Sequence, residues 1–475
     1  MSKLYIFGIG GTGARVLKSL TMLLAAGVEL KDTDAVVPVI IDADQSNGDL
    51  TRTVDLLNDY KKLRASLTFN EDSLNTFFRT EVDDMETNFR VPISNEVNKS
   101  FGDYIRYNQL DKANRALVSL LFSKRNLQAE MNVGFKGNPN MGSVVLNNFQ
   151  SDDLGGTSMK QLMANFQEND RIFIISSIFG GTGAAGFPLL LKTFRSAQVE
   201  DFPSAAFLQK ARIGAITVLP YFGLEDREDS SINAATFLSK AKSALTYYIN
   251  NLDIDALYYI GDNLKSNYHN CEGGRYQENN AHFVELAAAL SVVDFVSLKS
   301  EETRVYKEYA TKEDADPLTF PLLSEQTQRM IRMPLTQFFL FSQFYKTRMV
   351  DALTYAWAKD RHYQKAMLKG EPYKTLFQIF EAYNLWLGEM ASNVRSFQPF
   401  NLKMAPHDLL QSVNGVKALS GGLLSRTFGR DKGYYAMLDE MEKVAVKLSH
   451  TLSGEDYFMS VFSEATRQFI NHKKI

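Results

Sequence analysis

Residues 173–188 read FIISSIFGGTGAAGFP. Phe173, Ile174 and Ile175 form an apolar run of the kind a buried strand needs, and two serines close it. Gly180, Gly181, Thr182, Gly183 and Gly186 follow, and Leu189, Leu190 and Leu191 then open an apolar helical face. The stretch predicts a strand, a glycine turn and a helix start. Glycines let the backbone approach a ligand closely. A helix that begins there directs free N–H groups and the positive end of its dipole at that ligand, and phosphate is the natural guest. Thr182 adds a hydroxyl. The same residues could also make a tight strand-to-helix turn with no ligand.

The N-terminus repeats the pattern. Leu4 to Phe7 is a short apolar strand, Gly8, Gly10, Gly11 and Gly13 follow, and a helix runs from Ala14 through Leu24. GIGGTGARV is close to the dinucleotide fingerprint G-x-G-x-x-G. A second strand, Val36 to Ile41, leads to Asp42 and Asp44. An acid there could hold a ribose, hold water around magnesium, or be a solvated strand end. Asp49 to about Asn132 is polar and helical in pattern and reads as an insertion. A third turn-rich segment, GFKGNPNMGS, spans 134–143. Further strands are expected at Ile213 to Leu219 and Ala256 to Ile260, with helices from about Ile232 to Asn250 and from near Asn279. The order β, α, β, insertion, β, α, β, α, β, α argues for a parallel sheet covered on both faces. Ligands of such sheets bind beyond the carboxyl ends of the strands, where all these glycine loops fall. Val305 to Ala310 reads as one more strand. From Ser324 onward the pattern is mostly helical and rich in Phe, Tyr and Met, and its aromatic stripe reads as core or interface.

Composition narrows the function. With 475 residues, two or three domains are expected, and 45% apolar content suits a globular chain. Its 52 basic and 55 acidic side chains nearly balance, which gives no general pull towards nucleic acid or membrane. The one cysteine, Cys271, excludes an internal disulfide and fits a reducing cytoplasm. No apolar run approaches the ~20 residues a membrane span needs. The six histidines are scattered without metal-ligand spacing, and no G-x-S-x-G elbow occurs.

Together the segments resemble the tubulin/FtsZ superfamily, on the side of its divergent bacterial members. GGTGAAG at 180–186 after RIFIISS is similar to that family's glycine signature. GIGGTGARV at 8–16, IDADQSN at 41–47 and GFKGNPNMG at 134–142 resemble its first three nucleotide loops. IGAITVLPYFGLEDR at 213–227 and DALYYIGDN at 255–263 resemble its fifth and sixth strands with their loops. The resemblance implies an N-terminal parallel-sheet, Rossmann-like GTPase domain over 1–300, with the helical insertion at about 49–132. A C-terminal domain, mainly helical, covers 301–475. It implies GTP or GDP with Mg2+ as cofactors and a cytoplasmic GTPase. That GTPase would self-associate head-to-tail into filaments and hydrolyse GTP at the subunit interface.

Carried over, Gly10, Gly11, Thr12 and Gly13 would line the phosphates, and Gly180, Gly181, Thr182, Gly183 and Ala184 would cradle them. Gly137 and Asn138 would approach the γ-phosphate. Glu225 and Arg227 would lie near the ribose, Asn280 would read guanine, and Asp42 or Asp44 would hold magnesium through water. The acid that completes a neighbour's site would be Asp294, in VVDF, or Glu301 or Glu302. Asp294 follows Asn280 early for a full-length central helix, whereas Glu301 and Glu302 fit the spacing but lack the sequence context. The helical C-terminal half departs from the family's sheet-containing domain. Two other readings stand beside this one: a GTP-dependent switch or scaffold that does not polymerise, and an NAD(P)-dependent Rossmann enzyme.

Overall fold

A computed structural model describes residues 2–44, 46–93, 99–131, 134–135, 138–147, 159–221, 223–224, 234–262, 267–268, 274, 279–299, 301–302, 304–309, 317–405, 408–414, 432–448 and 452–473. The strands are β1 (Lys3–Ile9), β2 (Ala35–Asp42), β3 (Glu81–Val82), β4 (Arg90–Pro92), β5 (Arg171–Ser177), β6 (Arg212–Val218), β7 (Gly223–Leu224), β8 (Ala256–Ile260), β9 (Asn267–Tyr268) and β10 (Val305–Tyr309). The first ten helices are α1 (Gly10–Ala25), α2 (Gly48–Arg64), α3 (Phe101–Tyr104), α4 (Lys112–Leu121), α5 (Lys124–Gln128), α6 (Pro139–Leu146), α7 (Met159–Met163), α8 (Gly181–Arg195), α9 (Ala205–Lys210) and α10 (Ala234–Asn251). Six follow: α11 (Phe283–Ser297), α12 (Glu325–Ala352), α13 (Ala356–Lys359), α14 (Tyr373–Ser392), α15 (Lys432–Lys447) and α16 (Gly454–Lys473).

Eight strands form one sheet in the order β10-β8-β6-β5-β1-β2-β3, with β4 also on β2, and every pairing is parallel. The expected α/β fold with a mostly helical C-terminal part is the one observed. Strands buried on both faces read as near-continuous apolar runs, and all eight residues of β2 are buried. Alternate side chains serve opposite cores. Leu4 and Ile6 face the layer of α1 and α11, while Tyr5 and Phe7 face the layer of α6 and α8.

Two regions differ from the sequence reading. The insertion contains β3 and β4, two and three residues long, too short to show a period. The central helix begins at Phe283, capped by His282, rather than near Asn279. The aromatic stripe of α12 is core: Phe338, Phe339, Phe341 and Phe344 are fully buried. Phe341 stacks on Phe462 of α16 at 4.2 Å, and Trp386 Nε1 of α14 donates to Ser19 Oγ of α1 at 3.2 Å. The C-terminal helices therefore share one hydrophobic cluster with the α1 face of the sheet.

Candidate functional site

The strand order reverses direction at β1. Its neighbours are β2 on one side and β5 on the other. A doubly wound sheet opens a crevice at such a switch point, beyond the carboxyl ends of the strands. The two glycine loops that follow β1 and β5 therefore meet. A Cβ on Gly10 would lie 3.6 Å from both Gly183 N and Thr182 Cβ. Gly10 has φ +73°, which a side chain would strain. Gly13 matters for packing instead. Its Cβ would fall 2.5 Å from the Gly8 carbonyl carbon, so the bare backbone lets α1 pack on β1.

The third and second loops reach the same place. A Cβ on Gly142 of α6 would come within 2.6 Å of Gly181 O, and one on Gly134 would sit 4.0 Å from Thr182 Oγ1. A Cβ on Gly11 would lie 3.9 Å from Asn47 Nδ2. Neither Ile9, before α1, nor Gly180, before α8, supplies a side-chain cap. The first N–H groups of both helices are thus left for another acceptor. Asn138 instead caps its own helix, accepting from Asn140 N at 3.1 Å and Met141 N at 3.3 Å. Gly137, Glu225, Arg227 and Cys271 lie outside the described residues.

Asp42 and Asp44 are both buried at the end of β2. Burial, reinforced by the Asp44 charge, pushes the Asp42 carboxyl up to about 7, against the pull of the Asp44 and Ala43 backbone N–H groups. Asp44 Oδ1 accepts from Ser46 N and Oγ at 3.1 and 2.7 Å, and Oδ2 from Gly274 N. A nearby cation would offset the cost of keeping Asp42 charged. Among the described residues no group of three His, Cys, Asp or Glu side chains could enclose a metal ion. Magnesium fits such a site only as an ion that keeps waters and shares phosphate oxygens.

Behind the loops lies a buried ionic network that sequence reasoning missed. Arg15 donates to Glu285 Oε1 at 2.6 Å, Asp49 Oδ2 at 3.0 Å and Tyr221 OH at 3.0 Å. Tyr221 OH donates in turn to Glu285 Oε1 at 2.8 Å. Burial opposes the Arg15 charge, yet Tyr221, Glu285 and Asp49 hold its pKa well above the usual arginine range. Asp49 also accepts from Arg52 at 2.6 Å and from Asn279 N and Nδ2 at 3.0 and 2.8 Å. Glu389 of α14 accepts from Arg52 at 2.9 Å, Lys18 at 3.3 Å and Ala281 N at 3.0 Å. The segment entering α11 is thereby pinned, and Asn280 within it is exposed at the carboxyl edge. The available signal was a charge inside an apolar helix: Arg15 and Lys18 in GGTGARVLKSLTMLLA, and Glu285 in FVELAAALSVV. Such a residue is buried only with partners.

The three candidate acids lie at the other end of the sheet. Arg212, which opens β6, donates to Lys299 O at 2.7 Å and Glu302 O at 3.0 Å. The turn carrying the exposed Glu301 and Glu302 therefore sits at the amino ends of the strands. Asp294 is inside α11, buried, and its Oδ2 accepts from Lys307 Nζ at 2.6 Å and Tyr258 OH at 2.7 Å. None of the three can reach the glycine loops of its own chain, because α11 runs the length of the sheet between them.

No family model matches the sequence, and no curated protein does. Among solved structures, CetZ from Methanosaeta thermophila strain DSM 6194 aligns at 15% identity with a TM-score of 0.27. The alignment covers 64% of this chain and 56% of that one, so this chain spans little more than half the length of that structure's chain. An alignment this loose bears on neither ligand nor reaction.

Proposed function

We propose that the chain is a tubulin-like GTP-binding protein and GTPase that assembles head-to-tail. The observation that carries this reading is the meeting of residues 10–13 and 180–184 at the switch point of a parallel sheet. A Cβ on Gly10 would stand 3.6 Å from Gly183 N, and each loop opens an uncapped helix. Backbone N–H groups of Gly10, Gly11, Thr12, Gly13, Gly181, Thr182, Gly183 and Ala184 would bind the phosphate chain, helped by the Thr12 and Thr182 hydroxyls. Asp42, with Asp44 behind it, would hold Mg2+ through water, and that ion would neutralise phosphate charge. By resemblance, Gly137 and Asn138 would approach the γ-phosphate, Glu225 and Arg227 the ribose, and Asn280 the base. Glu301 or Glu302, at the opposite edge, would orient a water towards the γ-phosphate of the next copy. The chemistry asked of the protein is positioning and electrostatic stabilisation.

One observation favours a second reading. Asp294 is held by Lys307 and Tyr258 and is no free acid. If Asp294 holds the position of the interface acid, the chain would be a GTP-dependent switch that does not polymerise. The deciding experiment denatures the purified protein and identifies the released nucleotide, then titrates GTP, ATP and NAD(P) onto the emptied protein. Guanine nucleotide release with GTP binding supports the proposal. Tight NAD(P) binding with no effect of guanine nucleotide overturns it. Turnover per molecule that rises with protein concentration separates the assembling GTPase from the switch.

A further inference from the structure

Helix α4 leaves its apolar face uncovered. Ala113, Ala116, Leu117, Leu120 and Leu121 share one face at helical spacing, and Lys112, Arg115 and Ser119 share the other. The helix stands nearly clear of the body: from Lys112 to Leu121 every residue is exposed except the half-buried Val118, and the polar face bonds to the turn just before it. Arg115 donates to Asn108 O at 2.8 Å and Leu110 O at 3.0 Å, and its guanidinium lies 5.9 Å from the centre of the Tyr107 ring. Ser119 Oγ hydrogen-bonds Tyr107 OH at 2.8 Å. The apolar face is left to water: Leu117 is 53% exposed, Leu120 84% and Leu121 60%. A water-facing helix normally shows the reverse arrangement, so this face is built for a medium other than water.

Charge and area say which. Between Arg106 and Arg125 there are five basic side chains and one acidic one, Asp111, in a chain whose net charge is −3. Lys112, Lys124 and Arg125 are exposed on or beside the helix. Three leucines offer roughly 300 Å2, well short of the roughly 800 Å2 per partner that a stable dimer buries. No helix among the described residues is long and apolar enough to cross a membrane. We infer that α4 is a surface membrane anchor. Its leucines enter the headgroup boundary of an anionic bilayer, and Lys124 and Arg125, just beyond the helix, pair with lipid phosphates. One short helix gives weak, reversible attachment, which many copies held in one assembly would strengthen.

The inference stands apart from the nucleotide reading, and its test uses the full chain without nucleotide. Flotation is measured with vesicles of phosphatidylcholine and phosphatidylglycerol at about 2:1 and with phosphatidylcholine alone. A Leu120→Trp variant reports the environment of the face, because Trp357 and Trp386 are already buried. The expected result is flotation with the anionic vesicles several-fold above the neutral ones and a blue shift of the new tryptophan. Leu117→Ser with Leu120→Ser should weaken vesicle binding at least about tenfold with an unchanged melting temperature. Lys124→Glu with Arg125→Glu should remove the preference for anionic lipid. Wild-type protein that stays in the soluble fraction at millimolar lipid overturns the inference. So does a double-serine variant that binds like the wild type. A blue shift that grows with protein concentration in lipid-free buffer also overturns it, and would assign the face to a second copy.

Discussion

The two ends of the sheet are built on opposite principles. At the carboxyl edge, charge is buried: Arg15, Asp49, Glu285 and Tyr221 interlock behind backbone loops that have little side chain of their own. Towards the amino edge, Glu301 and Glu302 are exposed on a turn, and of the three candidate acids Asp294 is the one that is buried and paired. Glycine loops cannot hold their shape by side-chain packing, so a rigid wall must hold it for them. A carboxylate that serves a neighbour must instead remain accessible. The carboxyl edge should therefore be sensitive in stability and the amino edge in interaction.

The largest expected effect tests the wall. Arg15→Ala leaves Glu285 and Asp49 facing each other with a cation lost between them. Breaking a buried pair of this kind costs about 3–5 kcal/mol. Urea unfolding should show that loss. A cost below about 1 kcal/mol would mean that water enters and the wall is soft.

The next effect separates two glycines in one loop. Gly13→Ala drives a methyl to 2.5 Å from backbone, where nothing flexible can give way, and should cost about 2–3 kcal/mol. Gly11→Ala meets nothing closer than Arg15 Nη1 at 3.7 Å, so its stability should stay within about 0.5 kcal/mol. If Gly11→Ala nevertheless weakens nucleotide binding, its methyl occupies ligand space. Equal destabilisation by both would erase the distinction between a packing glycine and a ligand-facing one.

A third effect is a pH slope. His282 Nδ1 accepts from Val284 N at 3.0 Å and caps α11, which requires the neutral ring. Burial pulls its pKa below the usual histidine value, Glu285 and Asp262 push it up, and Arg15 and Arg395 pull it down further. The native state therefore resists protonation where the unfolded chain accepts it. His282 contributes stability that is fully present above pH ~6.5 and is lost as pH falls, with a slope of at most ~1.4 kcal/mol per pH unit. His282→Asn keeps a capping oxygen and should remove this part of the slope between about pH 6.5 and 5. An unchanged slope in the variant would assign the acid sensitivity to another group.

The same contrast sets what could be read from the chain. The carboxyl edge was legible as loops, because Phe173–Ile175 and Leu4–Phe7 announce buried strands and the glycines after them announce turns. That the loops converge follows from parallel topology, which the alternation of elements already implied. The wall was not legible as a network. Arg15 and Glu285 stand 270 residues apart, and nothing local links them. Their presence inside apolar helices was the trace they left. β3 and β4 escaped because two or three residues show no period. The amino edge was readable as three candidate acids but not as a choice among them. Choosing requires knowing that α11 ends at Ser297, which keeps Asp294 inside the helix and leaves Glu301 and Glu302 in the turn.

That choice yields the smallest effect on stability and the sharpest test of the comparison. Asp294→Asn loses its pairing with Lys307 and should cost about 1 kcal/mol. Glu301→Gln and Glu302→Gln alter exposed side chains and should change stability by less than about 0.5 kcal/mol. If the amino edge completes a neighbour's site, at least one of the glutamine variants should bind GTP normally yet lose the turnover that rises with protein concentration. Mixing supplies the control. A glutamine variant should regain turnover beside a second variant, such as Gly10→Val, whose own crevice is blocked but whose acids are intact. One copy then contributes the glycine loops and the other the carboxylate, and two inactive proteins make one active interface. Recovery on mixing requires that the two edges of the sheet work in different subunits. Failure to recover, with both variants folded, would mean that the two edges must be intact in the same chain, and that one copy does not complete the site of the next.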